Sequence, residues 1–310
     1  MKKMLVTKAI IPAAGIGTRF LPATKSIPKE MLPLIDKPSI QYVVEEGVKS
    51  GIKNFVLVTS KNKDSIIDHF GLDFDLMSKL SSRNQSELLG NLPKLSKLAH
   101  FLSVRQDEPL GLGHAIWSAR HAIGKEYVSV MLPDDIISSS DPGLGQLIKI
   151  ATQEKCSVVA VQEVPRDQVS RYGVIDVKKQ FSPNLFQVRD LIEKPSPEKA
   201  PSSLAIIGRY VLSPTIFEAL EETSAGAIGE IQLTDAIQRL VLSGEKVFAY
   251  KIKGERFDAG TPLGLLQASV VLSLRNPKYA QAMLNFLSSL DKEMIALQGK
   301  SQALHKQSLL

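Results

Sequence analysis

The sequence predicts an α/β fold: a mostly parallel sheet flanked by helices, with a helical insertion and a helical C-terminal end. Three observations carry that expectation. Apolar runs of strand length are nearly continuous, stretches with helical spacing alternate with them, and glycine- and proline-containing loops punctuate the alternation. Continuous apolar runs mark strands buried on both faces, and their alternation with helices marks parallel strands joined by right-handed crossovers.

In chain order, Ala9-Ile10-Ile11 is the first strand, ending at a loop rich in glycine and proline. Residues 38–50 read as a helix, with Pro38 in its first turn and Ile40, Val43, Val44 and Val48 at helical spacing. Phe55–Thr59 follows as a strand and Ser65–Phe70 as a helix. Residues 72–100 are more polar, with Leu76, Met77, Leu80, Leu88 and Leu89 at irregular helical spacing, and predict a helical insertion outside the sheet. A strand at Phe101–Val104, a helix around His114–Ile123 and a strand at Tyr127–Leu132 resume the alternation. Further strands are expected at Ser157–Glu163, Gly173–Asp176, Ser203–Tyr210 and Lys246–Lys251. From Thr261 the pattern turns helical, with Ala280, Met283, Leu287, Leu290, Met294 and Leu297 three and four residues apart. Such a stripe serves a subunit contact or packs on the chain's own body; the last ten residues read as frayed.

Composition narrows the class. Hydrophobic residues at 44% and charged residues at 23% are ordinary for a soluble globular chain of 310 residues. The single cysteine, Cys156, excludes an intramolecular disulfide and fits a reducing compartment. The N-terminus opens like a signal peptide, but Lys8 and Pro12 interrupt it, and no apolar run approaches the roughly 20 residues of a membrane span. A cytoplasmic protein without membrane attachment is expected. Net charge is +6, and residues 1–37 hold seven Lys or Arg against only Glu30 and Asp36. No aromatic residues are interleaved for base stacking, so nucleic acid is not the expected partner. Attraction for a small polyphosphate accounts for the asymmetry.

The richest segment runs from Ala13 through Ala14, Gly15, Gly17 and Arg19 to Lys25, Pro28, Lys29, Glu30 and Pro33. Small residues after a strand let backbone N–H groups approach an anion, and the basic side chains neutralise phosphate oxygens. A dinucleotide fingerprint would need a third glycine where Phe20 stands, which argues against a nicotinamide-dependent dehydrogenase. A P-loop would need Gly-Lys-Ser/Thr, which is absent.

This loop resembles the signature of nucleotidyltransferases that make sugar nucleotides, and in detail that of the bacterial UTP–glucose-1-phosphate uridylyltransferases. Val104-Arg105-Gln106, Pro109 to Ala115, Leu132-Pro133-Asp134-Asp135, Tyr172-Gly173-Val174, Glu193-Lys194-Pro195, Ile207 to Tyr210 and Gly229 to Ala236 fit the same family in order. The resemblance implies a Rossmann-like mixed, mostly parallel sheet, a nucleotidyltransferase catalytic domain over 1–265 containing the insertion, and a C-terminal helical segment over 266–310. It implies that UTP and glucose-1-phosphate give UDP-glucose and pyrophosphate, that magnesium assists, and that the chain forms homo-oligomers, dimers or tetramers.

Residue by residue, the resemblance implies that Ala13, Ala14, Gly15, Gly17 and Arg19 cradle the triphosphate and that Lys29 contacts phosphates at the reacting centre. Glu30 either positions Lys29 or lies by the base. Gln106 has an amide donor and acceptor suited to a uracil edge, with Gly111 beside it. Gly173, Glu193 and Glu230 are expected on the sugar and Lys194 on its phosphate, while Asp134 and Asp258 resemble the metal ligands. Asp135, as Asp134's neighbour, points the other way on a strand and is left out. The histidines, His114 included, lack metal-ligand spacing, and Trp117 reads as core. The chemistry fits: a phosphate monoester has a second pKa near 6, so the nucleophile is about nine-tenths dianion at pH 7 and needs no base. What is needed is to hold two polyanions in line against their repulsion. A thymidylyltransferase of the same fold and a non-catalytic paralogue that binds sugar nucleotide stay as alternatives; the insertion and Leu112–Ala115 favour the uridylyl enzyme, and the retained Arg19, Lys29, Asp134, Lys194 and Asp258 favour catalysis.

Overall fold

The computed structural model describes residues 6–83, 94–226 and 229–290. The strands are β1 Lys8–Pro12, β2 Asn54–Thr59, β3 His100–Arg105, β4 Val128–Met131, β5 Asp135–Ser138, β6 Ser157–Glu163, β7 Gly173–Ser182, β8 Leu185–Glu193, β9 Leu204–Leu212, β10 Val247–Lys251 and β11 Glu255–Asp258. Nine of them form one sheet in the order β3-β2-β1-β4-β9-β6-β10-β8-β7, and β5 and β11 form a small second one. Neighbours β3, β2, β1 and β4 are parallel, as are β6 and β10; β9 and β8 run against their neighbours. The sheet is therefore mixed, with most of its strands pointing one way.

Residue alternation explains the layers. Ile10, Val56, Val58 and Val130 project to one face, where they meet Ala115 and Ile116 of helix Gly111–Ser118 and Leu233, Ile237 and Leu240 of helix Leu233–Leu242. Ala9, Ile11, Phe55 and Leu57 project to the other, onto Ile40, Val43 and Val44 of helix Ser39–Lys49 and Leu144 and Leu147 of helix Gly143–Glu154. Each fully buried Ile, Leu or Phe contributes about 1.5–3 kcal/mol by leaving water. Two apolar faces demand two helical layers, and the chain supplies both.

The expected strands are present, with ends shifted by a few residues. Gly173–Asp176 continues to Ser182 and turns back as β8, whose charged Arg189 and Asp190 hide its strand character in the sequence. The single helix expected around His114–Ile123 is two, Gly111–Ser118 and Arg120–Ile123. Helix Phe74–Ser82 occupies the start of the expected insertion, while Leu88 and Leu89 lie outside the described residues. Helices Pro262–Arg275 and Ala280–Ser289 form the helical end, and the boundary drawn at 265 falls inside the first. Met294, Leu297 and the last ten residues lie outside the described residues. No helix among the described residues is long and apolar enough to cross a membrane.

Candidate active site

Because β1 and β4 are parallel neighbours, with Ala9 beside Ser129 and Ile10 beside Val130, the loops that follow them leave the sheet together. This is the carboxyl edge, where open α/β sheets bind ligands. Lys29, in the loop after β1, meets Asp134, in the segment after β4, at 2.5 Å. Burial pushes the Lys29 ammonium down, but Asp134 and Glu30 outweigh it and its pKa is raised. Burial likewise pushes Asp134 up, yet the Lys29 charge and hydrogen bond hold its carboxyl below the usual range. Both groups are charged at neutral pH.

The second sheet brings Asp258 to the same place. In the β5–β11 ladder Asp135 is opposite Asp258, and the Ala259 N–H donates to the Asp134 carbonyl at 2.8 Å. A point one bond from the Gly260 Cα lies 2.9 Å from Asp134 Oδ2 and 3.0 Å from Asp258 Oδ1, so the two carboxylates converge there. Asp258 Oδ2 pairs with Arg171 at 3.4 Å. Two converging hard oxygens fit magnesium, which takes one or two carboxylates and fills its octahedron with water and phosphate. Among the described residues no group of three His, Cys, Asp or Glu gathers as a metal cage. Asp135 is buried, and its carboxylate is occupied within the protein, bonded by Arg256 at 2.8 Å and by the Gly208 N–H at 2.6 Å.

Asp134 stands between two cavities. The first is lined by Ala14, Gly15, Gly17, Lys29, Gln106 and Gly111. Gln106 is buried, and its amide N–H groups go to the Gly111 carbonyl at 3.2 Å and to His114 Nδ1 at 3.0 Å. Among the described residues nothing donates to Gln106 Oε1, which is left as an acceptor. Gly111 has φ +94, and a Cβ there would lie 2.7 Å from the Glu230 Cβ. Its bareness admits residues 230–231, which the Ile231 N–H pins to the Leu110 carbonyl at 2.7 Å. Glu230, expected on the sugar side, therefore lines this first cavity instead. Glu30 lines it too, but its carboxylate is buried and paired with Lys63 at 2.9 Å.

The second cavity is lined by Arg19, Gly173, Glu193, Lys194, Thr234 and Asp258, together with Asp134. Arg19, expected beside Gly15 and Gly17, faces this side. Gly173 is paired with Glu193 in the β7–β8 ladder, and a Cβ on it would lie 2.8 Å from Thr234 Oγ1. That space is used by the protein itself: Thr234 Oγ1 donates to Glu193 Oε2 at 2.7 Å. Lys194 sits at φ +46, an unfavourable backbone for a residue with a Cβ, and its N–H donates to the Tyr172 carbonyl at 3.0 Å. Its ammonium lies 3.4 Å from Glu193 Oε1.

Sequence reasoning missed Lys63, Arg171, Thr234 and the role of His114. His114 stands within Pro109–Ala115 and Thr234 within Gly229–Ala236, two of the motifs that carry the family resemblance. Lys63 follows β2 in Ser60-Lys61-Asn62-Lys63, where Lys61 is exposed and Lys63 buried, and nothing local separates them.

The family described as Nucleotidyl transferase matches residues 8–273. The UTP–glucose-1-phosphate uridylyltransferase of Bacillus subtilis (strain 168) is 47% identical over 296 residues, 95% of this chain and 100% of its own. A solved UTP-bound UGPase from Acinetobacter baumannii is 37% identical with a TM-score of 0.86, over 93% of this chain and 100% of that one. A UDP-glucose pyrophosphorylase solved in complex with UDP-glucose is 40% identical with a TM-score of 0.80, over 88% of this chain and 100% of that one.

Proposed function

The chain belongs to the nucleotidyl transferase family, and from that premise we propose that it joins UTP to glucose-1-phosphate, forming UDP-glucose and releasing pyrophosphate. One observation carries the reading: Asp134, paired with Lys29, stands where a cavity bearing the glycine loop and Gln106 meets a cavity bearing Glu193 and Lys194. Two anionic substrates, one in each cavity, would meet at that carboxylate.

The residues act by placement and charge. Gln106 Oε1 accepts from the uracil N3–H, its orientation fixed by His114 and Gly111. The glycine loop presents N–H groups to the triphosphate, and Lys29 offsets charge at the α-phosphate. Glu193 accepts from sugar hydroxyls on the lone pairs that Thr234 leaves free, and Lys194 and Arg19 hold the sugar phosphate. A phosphate oxygen of the sugar then attacks the α-phosphorus in line, and the bond to the pyrophosphate oxygen breaks. Asp134 and Asp258 would hold magnesium, which when bound supplies positive charge to the phosphate oxygens. A cytoplasmic location fits the single cysteine. Leu263, Leu266 and Phe286 are exposed on the helical end, and we assign a homo-oligomeric contact, in a dimer or tetramer, to that segment; light scattering that returns a monomer would remove it.

Pyrophosphate release, assayed across triphosphates and sugar phosphates, tests the whole. UTP with glucose-1-phosphate should give the highest kcat/KM; a preference for dTTP would transfer the chain to the thymidylyl alternative, and no turnover would favour the non-catalytic one. In the same assay Lys194→Ala should raise the KM for glucose-1-phosphate by about tenfold or more, the value of a lost hydrogen bond to a charged group, and that for UTP far less. Equal rises in both would displace Lys194 from the sugar phosphate.

A further inference from the structure

Lys63 is a lysine out of place. It follows the end of β2, is 7% exposed, and spends its ammonium inside the protein. Its three N–H groups have three acceptors: the Ala13 carbonyl at 2.5 Å, the Gly15 carbonyl at 2.6 Å and Glu30 Oε2 at 2.9 Å. An ammonium has three donors and no more, so none is left for a ligand. Burying such a charge is costly, and the two carbonyls and one carboxylate that offset it all belong to the loop after β1.

The consequence follows from peptide geometry. In a trans peptide the C=O of one residue and the N–H of the next point in opposite directions. When one ammonium draws in the carbonyls of both Ala13 and Gly15, the N–H groups of Ala14 and Ile16 are turned away from it, in company. Ala14, Gly15 and Ile16 line the first cavity. Among the described residues none accepts a hydrogen bond from the N–H of Ala14, Gly15 or Ile16. Unpaired main-chain donors held in one direction form an anion-binding concavity.

We propose that Lys63 is a positioning residue for the triphosphate: it grips the Ala13 and Gly15 carbonyls so that the Ala14 and Ile16 N–H groups stay aimed at phosphate oxygens. It acts through the loop and does not touch the substrate. Glu30 completes the device by neutralising the ammonium, which prevents a buried positive charge from repelling Lys29 next to it in the sequence. The inference rests on the proposed reading of the glycine loop as the triphosphate cradle.

The test compares UTP with uridine, which shares the base and ribose but has no phosphates. Both are titrated, by calorimetry and by NMR line broadening, into wild type, Lys63→Met, Lys63→Arg and the double variant Lys63→Met/Glu30→Gln, which leaves no charge buried alone if Lys63→Met fails to fold. Removing the grip should weaken UTP by about tenfold while uridine stays within about twofold, and Lys63→Arg, still able to donate to two carbonyls, should recover part of the loss. Parallel weakening of UTP and uridine would mean that Lys63 merely supports the fold; unchanged UTP binding would remove it from the site. Either outcome overturns the assignment. The cradle reading is checked separately in the wild type: if UTP bound no more tightly than uridine, the loop would not be a triphosphate site at all.

Discussion

Asp134→Asn is expected to lower kcat for UDP-glucose formation by about a hundred- to a thousandfold with little change in fold stability. The amide keeps the size of the side chain and removes its charge. That charge is the partner of Lys29 at 2.5 Å and one of the two converging at Gly260. Without it the ammonium and any bound cation lose their anchor between the cavities. Stability changes little because both side chains keep access to solvent, at 22% and 25% exposed, so the ammonium is not sealed in the interior when its partner loses its charge. The pH behaviour has a definite sign. A carboxyl whose folded pKa is depressed contributes stability above its unfolded value, near 3.9, and loses it as pH falls through the lower folded value. Asp134 therefore does not titrate between about pH 6 and 8, and the variant's residual activity should follow the same pH profile there as the wild type. Near-normal rates at ordinary magnesium would contradict the placement of Asp134 at the reacting centre.

What the sequence could and could not disclose divides by the range of the interaction. Strands such as Phe55–Thr59 and Ser157–Glu163 are legible because burial on both faces leaves a continuous apolar run. The glycine loop is legible because its chemistry is local. β5 and β11 are not, since each is four residues long and exists only by pairing with the other across the chain. Asp134 and Asp258 resemble a ligand pair in the motifs, but their convergence is a product of that ladder. That Glu230 lines the cavity of Gly15 and Gln106, and not that of Glu193 and Lys194, has a related reason: its position follows from residues 230–231 entering the space beside Gly111, a contact that no sequence spacing encodes. Lys63 is the limiting case, a buried charge two of whose three partners are backbone carbonyls and so leave no trace in composition.

Arg209 offers the largest expected effect on stability, and its reason reaches back to the site. Its side chain is fully buried in β9, with Nε 3.1 Å from Glu46 Oε1 and an Nη 2.7 Å from Glu46 Oε2. Glu46 Oε1 also accepts from the Leu144 N–H at 2.9 Å, so one pair ties two helices to the sheet. Arg209→Met leaves Glu46 buried without its partner, which costs about 3–5 kcal/mol and lowers the urea midpoint by about 1 M. Glu46→Leu added to it should recover part of that loss, because the unpaired charge is then gone. Recovery will be incomplete, since the guanidinium also donates to the carbonyls of Leu132 at 3.2 Å, Gly208 at 2.8 Å and Asp135 at 2.8 Å. Leu132 and Asp135 bracket Pro133-Asp134, so the arginine that fastens the core also fixes the backbone carrying the central carboxylate. At a temperature where the double variant is fully folded, its kcat should still be down by about tenfold or more, because small misplacements at a reacting centre are expensive. A double variant with wild-type kcat would separate the two roles and leave Arg209 as a fastener of the core alone.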